Sequence, residues 1–514
     1  MPGRLSFEFH LGRAQPTARS HRSDDGPMRM LIIGDFSGRQ GSPDTPRRVL
    51  SERRPIRVDV DTLDTRLREL EPTLRIPGAS KDGGSDALAF RCLDDFHPDH
   101  LAPRLPLLDT LRDLRGRFDD PASRREAGEA LRQLLAVAGS GVEDVGATPL
   151  PGGAAESDAE TLSRLLGALG PQPRAPAHPA TAANGLIRAA VAPHVVAPAP
   201  AQLATYRSVL DDFAGNVLRR VLRDPGFRTL EANWRGLAWL VSSIEGDAVE
   251  WWLLDATKAE LAEDLLGRGE DLAATALYQL LVESERGMLG GQPWTALLGG
   301  FYFGPREDDA RLLAALGVLA GACGGPFLSG AEPSLLGCRD ASALSDLARW
   351  DASDAGWSEA WEAMRRTRGA AWLGLALPRL LLRLPYGPCT DPIETFAFDE
   401  AHDPRDPEAF LWGNPALAPL LLLARACTDA GRPVPPGTRL QLDGLPAFAY
   451  TDAGGQRRLL PCAEALLPER AVEEILARGL IPLVSHRDLP IIQVTAFTSL
   501  ARPTAPLCGP WSAG

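Results

Sequence analysis

Residues 377–387 read Leu-Pro-Arg-Leu-Leu-Leu-Arg-Leu-Pro-Tyr-Gly, and Leu-Trp-Gly-Asn follows at 411–414. The first stretch is an apolar run with a proline near each end and two arginines four residues apart, Arg379 and Arg383. Proline is unfavourable inside a helix and better placed at the ends of an element. Because an unpaired buried charge is costly, both arginines should have partners. The pattern therefore predicts a buried structural segment, and it contains no recognisable catalytic geometry.

The sequence on the N-terminal side of this segment alternates between helix and strand patterns. Apolar residues at helical spacing predict a helix over 206–224, and a second helix over 230–237 follows a break. An apolar run with two tryptophans at 249–254 predicts a strand. Thr-Lys-Ala-Glu at 257–260 is a capping box that opens the next helix. This alternation predicts an α/β body.

The N-terminus shows strict alternation of apolar and polar residues over 5–11. This pattern is typical of a half-buried strand. A polar stretch at 12–27 separates it from the body of the protein. A lone tethered strand cannot pair its own edges, so we expect it to join another sheet or another subunit. The residues of this candidate inter-subunit strand are Leu5, Phe7, Phe9 and Leu11.

A buried strand is predicted at 28–33, and a turn bounded by two glycines at 34–38. Asp35 in this turn could be a catalytic or phospho-acceptor carboxylate, and the glycines could bind phosphate. The sequence has neither Gly-Lys-Ser/Thr nor Gly-x-Gly-x-x-Gly here. We therefore interpret Asp35 as a turn and capping residue.

The rest of the N-terminal part has short elements. The patterns predict an edge strand at 54–61, a helix at 62–70, a short strand at 88–91 and a longer helix through 105–114. His97 stands with a second histidine among three aspartates, which invites a metal-site interpretation. A structural interpretation is favoured, because Pro98 disrupts helical register and acidic residues suit the first turn of a helix.

A short amphipathic helix is predicted at 159–169, and an alanine- and proline-rich linker follows at 171–204. A short apolar helix between flexible flanks is a common recognition segment, and the alternative is that it packs on the first domain. The residues of its apolar face are Leu162, Leu165, Leu166 and Leu169. The predicted organisation has four parts, which are a first domain at 1–150, a helix and linker at 151–205, a second domain at 206–499, and a flexible tail at 500–514.

Composition excludes several classes of function. The chain has 514 residues, of which 44% are hydrophobic and 24% charged, as in a soluble globular protein. The net charge of −13 argues against nucleic acid as a partner. The seven cysteines form no Cys-x-x-Cys pair, so neither a zinc site nor a disulfide framework is expected. We found no apolar run long enough to span a membrane and no signal peptide, which predicts a cytoplasmic protein without membrane insertion.

The sequence contains no recognised catalytic motif. The sequence has no Gly-x-Ser-x-Gly elbow, no His-Glu-x-x-His and no Walker motif. No catalytic residue, metal ligand or cofactor is therefore predicted. An α/β enzyme remains a minor alternative, and an activity lost on mutating Asp35 would support it.

The C-terminal part resembles the large subunit of the contractile sheath of bacterial type VI secretion systems. The resemblance spans about 206–483 and is carried by six ordered blocks, at 224–240, 254–265, 299–305, 377–387, 411–414 and 479–484. Its structural signature consists of Trp234, Arg235, Gly236, Pro378, Arg379, Arg383, Pro385, Tyr386, Gly387, Trp412, Gly413 and Asn414.

The N-terminal part is similar to the small sheath subunit through blocks at 31–39, 54–61 and 90–98. The chain thus looks like a fusion of two subunits that are usually separate. It also departs from the family in stopping soon after the last block, where large subunits usually continue. That further part, in the family, exchanges strands with neighbouring subunits and contacts the inner tube.

The resemblance implies a multidomain, contractile-sheath-like α/β fold, with mixed sheets flanked by helices and a tethered N-terminal strand. It also implies a structural protomer that polymerises around an inner tube and contracts to propel it, without being an enzyme. The implied partners are itself or other sheath subunits, the inner tube protein, the baseplate and an AAA+ unfoldase. In the family the unfoldase grips an N-terminal helix of the large subunit, and the helix at 159–169 is the candidate by position. The alternative function is a non-polymerising accessory or regulatory component that binds the sheath or baseplate.

Overall fold

The computed structural model describes fifteen strands and nine α-helices of seven or more residues within residues 26–39, 49–77, 85–120, 122–124, 126–131, 200–267, 269, 271–284, 291–350, 357–401, 403, 406–452 and 454–512. The strands are β1 (Met28–Gly34), β2 (Ile56–Val58), β3 (Thr73–Pro77), β4 (Ser85–Ala89), β5 (Val249–Asp255), β6 (Ala296–Phe303), β7 (Phe327–Ala331), β8 (Leu373–Leu377), β9 (Leu380–Arg383), β10 (Leu411–Gly413), β11 (Gln441–Leu442), β12 (Ala449–Thr451), β13 (Arg457–Leu459), β14 (Ile481–Ser485) and β15 (Ile492–Val494). The helices are α1 (Leu63–Leu70), α2 (Pro106–Asp119), α3 (Pro200–Leu222), α4 (Pro225–Ser242), α5 (Lys258–Gly267), α6 (Glu307–Cys323), α7 (Glu359–Arg365), α8 (Leu417–Ala430) and α9 (Glu469–Ala477).

A nine-stranded sheet is the largest sheet in the described part of the chain. Its strand order is β11-β15-β14-β8-β7-β6-β1-β5-β2. The six strands from β14 to β5 run parallel to one another, whereas β2, β15 and β11 are antiparallel to their neighbours. This is a mixed sheet with antiparallel edges and helices between its strands, so the predicted α/β class with mixed sheets is confirmed.

Strand β1 lies in the middle of this sheet, between β5 and β6. Met28 pairs with Val249 on one side, and Met30 pairs with Ala296 on the other. All seven residues of β1 are buried, as expected of a parallel strand covered on both faces. A strand from the N-terminal part therefore completes a sheet whose other parallel strands come from beyond residue 206.

Two helices of the body are buried on nearly all sides. Helix α6 packs against α5 and α7, and its core includes Leu31 and Ile33 of β1. Helix α8 packs against α4 and has ten buried residues. Gly236 on α4 allows this approach, because an added Cβ there would lie 2.8 Å from Leu417 Cδ1.

The chain divides into two compact units. The larger comprises Met1–Pro77, Ser85–Arg104 and Leu218–Gly514, and the smaller comprises Gly78–Gly84 and Leu105–Val217. Within the smaller unit, α2 and α3 are joined by an ion pair between Arg115 and Asp211. The larger unit contains strands from both the first and the second predicted domains. The limits of the compact units therefore differ from the predicted domain boundaries.

The flexible tail predicted at 500–514 is wrong for residues 500–512, which form hydrogen bonds with distant parts of the backbone. The backbone N–H groups of Leu500, Arg502 and Cys508 donate to the carbonyls of residues 373, 365 and 371, at 3.0, 2.8 and 2.8 Å. The prediction failed because an alanine-, proline- and glycine-containing composition says nothing about hydrogen bonds to distant backbone. In addition, no helix within the described ranges is long and apolar enough to cross a membrane.

Candidate functional site

The candidate site is a set of contacts that we call the seam. We define the seam as the contacts that residues 26–39, 49–77 and 85–104 make with residues 218–512, all inside the larger unit. The pairing of β1 with β5 and β6 is its backbone component.

Asp255, the last residue of β5, receives the loop that follows β1. Its carboxylate accepts hydrogen bonds from the backbone N–H groups of Phe36 and Ser37, at 2.9 and 3.2 Å. It also accepts from the guanidinium of Arg39, at 2.6 Å. Burial raises the pKa of the Asp255 carboxyl, and Arg39 and the backbone donors offset this only in part. Asp255 therefore fixes the path of the chain after β1.

A second ion pair, between Arg53 and Glu260, lies beside the pair of Arg39 and Asp255. Arg53 binds Glu260 through two hydrogen bonds, of 2.6 and 3.0 Å. Glu260 also accepts from the backbone N–H of Thr257, and the Thr257 hydroxyl accepts from the N–H of Glu260. This is the capping box predicted from the sequence. Burial alone would raise the pKa of Glu260, but the hydrogen bonds from Arg53 and Thr257 lower it to about 2.

Arg29 on β1 lies between two tryptophans. Its guanidinium carbon is 4.6 Å from the ring centroid of Trp252 and 4.1 Å from that of Trp294. The residue is only 8% exposed. A desolvated guanidinium against aromatic rings is a favourable cation–π contact, so Arg29 joins β1 to the residues before β6.

Helix α4 presents side chains to the same loop. The Asn233 amide donates to the carbonyl of Asp35 at 3.0 Å, and the Trp234 indole N–H donates to the carbonyl of Phe36 at 2.9 Å. The Asp35 carboxylate accepts from the backbone N–H of Arg39, which is the turn role that the sequence predicted. Trp234 is fully buried, and its ring meets the ring of Phe36 edge-on at 5.1 Å. The signature tryptophan therefore connects the two parts of the chain.

Five side chains form what we call the Arg383 cluster, namely Glu231, Arg235, Arg383, Tyr386 and Glu400. Arg383 binds Glu231 at 2.9 Å and Glu400 at 2.8 Å, and its guanidinium stacks on the ring of Tyr386 at 4.0 Å. Arg235 binds Glu231 at 2.7 Å and donates to the Tyr386 hydroxyl at 3.1 Å. Burial of Glu231 would raise its pKa, but the two arginines outweigh burial and lower it.

Arg379, the other arginine of the signature segment, binds Glu464 through two hydrogen bonds, one of them 2.7 Å long. Both arginines therefore have the partners that the sequence predicted. Pro378 separates β8 from β9, and Pro385 is buried two residues after β9 ends. Gly387 leaves room for Asp399, whose Oδ1 would be 3.0 Å from an added Cβ.

The segment at 411–414 pairs with the arginine segment. Strand β10 is antiparallel to β9, with Trp412 opposite Leu381. Gly413 lies against the Leu382 side chain, which would have to move to make room for an added Cβ. The Asn414 amide donates to the carbonyl of Phe301 at 2.8 Å, where the register of β6 shifts, and its oxygen accepts from the backbone N–H of Ala416, just before α8, at 3.0 Å.

A last seam contact involves the histidine segment. The Asp99 carboxylate accepts from the backbone N–H groups of Glu394 and Thr395, at 3.0 and 3.2 Å, and these donors lower its pKa against the opposing effect of burial. The His97 ring lies 4.9 Å from the ring of Tyr386, and its Nδ1 accepts from the N–H of Asp99. Within the described residues, no group of three or more His, Cys, Asp or Glu could hold a metal ion. Asp99 and His97 therefore connect the histidine segment to residues 394–395 and to Tyr386.

Two predicted sets of residues lie outside the described residues. These are the strand at 5–11 and the helix at 159–169. Conversely, Glu231 and Glu400, the acidic partners of Arg383, were not predicted from the sequence. A signal for Glu231 existed, because it stands on the apolar face of α4 three residues before Trp234. An acid at that position of a buried helical face predicts a buried cation.

Comparison with known families gives the class of this protein. The family model described as EvpB/VC_A0108, tail sheath N-terminal domain (VipB), matches residues 207–501. The model described as type VI secretion system, VipA, VC_A0107 or Hcp2, matches residues 16–139. The chain belongs to the tail sheath family of type VI secretion systems, and the resemblance found in the sequence is confirmed.

Two relatives from Pseudomonas aeruginosa are similar to the two parts of the chain. The type VI secretion system sheath protein TssC1 is 31% identical over 294 residues, which are 55% of this chain and 58% of TssC1. The sheath protein TssB1 is 28% identical over 93 residues, which are 17% of this chain and 52% of TssB1. The chain therefore spans little more than half the length of each relative.

Proposed function

We propose that this protein is a structural protomer of a contractile type VI secretion sheath, in which a small-subunit-like part and a large-subunit-like part are joined in one chain. The observation that carries the proposal is the position of β1. A strand from the part that matches the VipA model lies between two strands of the part that matches the VipB model. The parts thus form one sheet.

The seam supports a mechanical role. It combines parallel strand pairing, two adjacent ion pairs, a cation–π contact and buried hydrogen bonds from α4. Contacts of this kind keep the two parts together when load is applied to either. Covalent joining adds to this, since it fixes a one-to-one ratio and raises the effective concentration of each part for the other.

Polymerisation would use heterologous contacts that generate an open helical lattice. Contraction would draw on differences in contacts between the extended and contracted lattices, without a catalytic site in this protein. The partners proposed are further copies or other sheath subunits, the inner tube protein and the baseplate. This role places the protein in the cytoplasm.

We also propose that the helix predicted at 159–169 binds the AAA+ unfoldase that recycles the sheath. The support is its predicted apolar face and its position before the large-subunit-like part. A pull-down with the unfoldase would compare the intact protein with a deletion of residues 159–169. Loss of binding is expected, and unchanged binding would exclude this helix as the recognition segment.

The proposed function is tested by negative-stain electron microscopy of the purified protein, alone and then with the sheath and tube proteins of the same cell. Tubules that contain this protein are expected. The variant Trp234→Ala serves as a control, because it removes the hydrogen bond to Phe36 and a fully buried indole ring at the seam. Single particles under every condition would favour the alternative, an accessory component that binds sheath or baseplate.

A further inference from the structure

A cavity of about 680 Å³ lies at the carboxyl ends of β6, β7 and β8. In α/β sheets this edge is a common place for ligands to bind. Part of the lining comes from the signature segments, through Pro378, Arg379 and Trp412. Because none of these three side chains takes part in the seam, the seam does not explain why they occur here. The cavity is large enough to take a short segment of chain rather than a single group.

The charged residues of the cavity are nearly all satisfied. Each acidic residue of the lining has a partner, and these pairs are Glu332 with Arg306, Glu408 with Arg228, Glu464 with Arg379, and Asp340 with the hydroxyl of Ser342. Arg339 is exposed at the cavity and has no ion pair or hydrogen bond within the described part of the chain. The Tyr302 hydroxyl, also in the lining, is likewise without a partner there. We therefore expect a bound segment to supply a carboxylate for Arg339 and a backbone carbonyl for the Tyr302 hydroxyl. It should also have an apolar side chain that packs on the apolar residues of the lining.

A segment with these features is present on the surface of the same protein. In the turn between β2 and α1, Val60 is 61% exposed, and it is one of the few large hydrophobic residues in the described ranges that are so accessible. The adjacent Asp61 is exposed and makes no ion pair within those ranges. The turn is held rigid, because the N–H of Asp59 donates to Thr62 Oγ1 at 3.0 Å and the N–H of Thr62 donates to Asp59 Oδ1 at 2.9 Å. Docking a rigid turn costs little conformational entropy.

We propose that the turn at 59–62 of one copy docks into this cavity of a second copy, with Val60 against Trp412 and Asp61 paired with Arg339. The two surfaces are different, so the contact is heterologous and extends into a filament. This inference rests on the proposed function and adds the residues of one lattice contact. It also gives Pro378, Arg379 and Trp412 a role as the wall of the cavity.

Charge reversal tests the contact. Asp61→Arg and Arg339→Asp should each raise the critical concentration for assembly about tenfold or more, because like charges would then face each other. The double variant should restore assembly towards the wild-type value. Val49→Asp is the matched control, because Val49 is exposed to 64% and lies outside the proposed contact, so it should leave assembly unchanged.

Disulfide trapping gives an independent readout. In a Cys389→Ser background, which removes the exposed native thiol, Val60→Cys combined with Ala341→Cys should give a ladder of oligomers on oxidation. Val49→Cys with Ala341→Cys should not. Tubules that form normally in both charge-reversed single variants, without a ladder from the 60/341 pair, would overturn this contact and leave the proposed function intact. No assembly of the wild type with any partner would instead reject the proposed function.

Discussion

Arg383 Nε and Glu231 Oε1 lie 2.9 Å apart in the interior, where the Glu231 side chain has no exposed surface and that of Arg383 is 9% exposed. The two residues are 152 positions apart in the chain, on β9 and α4. The pair therefore joins the signature segment to the helix that carries the Trp234 contact with the first part of the chain. Its loss should affect the fold and the seam together.

Replacing Arg383 by methionine should lower the free energy of unfolding by about 3–5 kcal/mol, because Glu231 and Glu400 would remain buried without their cation. Denaturation in guanidinium chloride, followed by circular dichroism, measures the change. Arg439→Met is the matched control, since Arg439 pairs with Asp429 where both are half exposed, and it should cost about 1 kcal/mol or less. Equal losses in the two variants would contradict the structural role of Arg383.

Glu260 should make the stability of the protein sensitive to acid. Its pKa in the folded protein is about 2, below its ordinary value of 4.5, so folding favours the ionised form. The resulting stability is present above about pH 4.5 and is lost as the pH falls towards 2. Thermal unfolding of Glu260→Gln should therefore show a smaller fall in Tm between pH 6 and pH 3 than the wild type shows. Glu473→Gln, at an exposed position on α9, should follow the wild type, and identical profiles for all three proteins would refute the prediction.

Local patterns were sufficient for many elements of the fold. The strand predicted at 28–33 is β1, the helix predicted at 62–70 is α1, and the capping box at 257–260 opens α5. The edge strand predicted at 54–61 is the shorter β2, which does lie at an edge of the sheet. These features depend on residues that are close together in the sequence, and their spacing can be read from a single sequence.

Long-range partners were not visible in the same way. Nothing in the spacing of apolar residues indicates that β1 pairs with strands more than 200 positions away, because every buried parallel strand has the same apolar pattern. The sequence predicted that Arg383 has a partner, but not which residue it is. A buried charge requires a partner of opposite charge, and the local sequence does not identify that partner. The order at 500–512 was missed for the same reason, as it comes from distant backbone groups.

Arg29 should contribute to the seam through its aromatic neighbours. Arg29→Ala removes the contacts with Trp252 and Trp294 and should lower the free energy of unfolding by about 2 kcal/mol. Tryptophan fluorescence of the folded variant should also shift to longer wavelength, since both rings lose a buried neighbour. Arg57→Ala is the control, because Arg57 on β2 is half exposed and pairs only with Glu250 among the described residues, so its loss should be within about 1 kcal/mol. A fluorescence spectrum unchanged by Arg29→Ala would count against the stacked arrangement.

Gly317 and Gly116 should respond in opposite ways to the same substitution. An added Cβ at Gly317 on α6 would lie 2.6 Å from the backbone carbonyl oxygen of Gly369, which cannot rotate away as a side chain could. Gly317→Ala should therefore destabilise the protein by about 1–3 kcal/mol. Gly116 on α2 has no atom within 4 Å of such a Cβ, so Gly116→Ala should stabilise its helix by about 0.5–1 kcal/mol through helix propensity. Thermal unfolding monitored by circular dichroism would compare the two, and a tolerated alanine at 317 would contradict the close approach of α6 to residues 368–372.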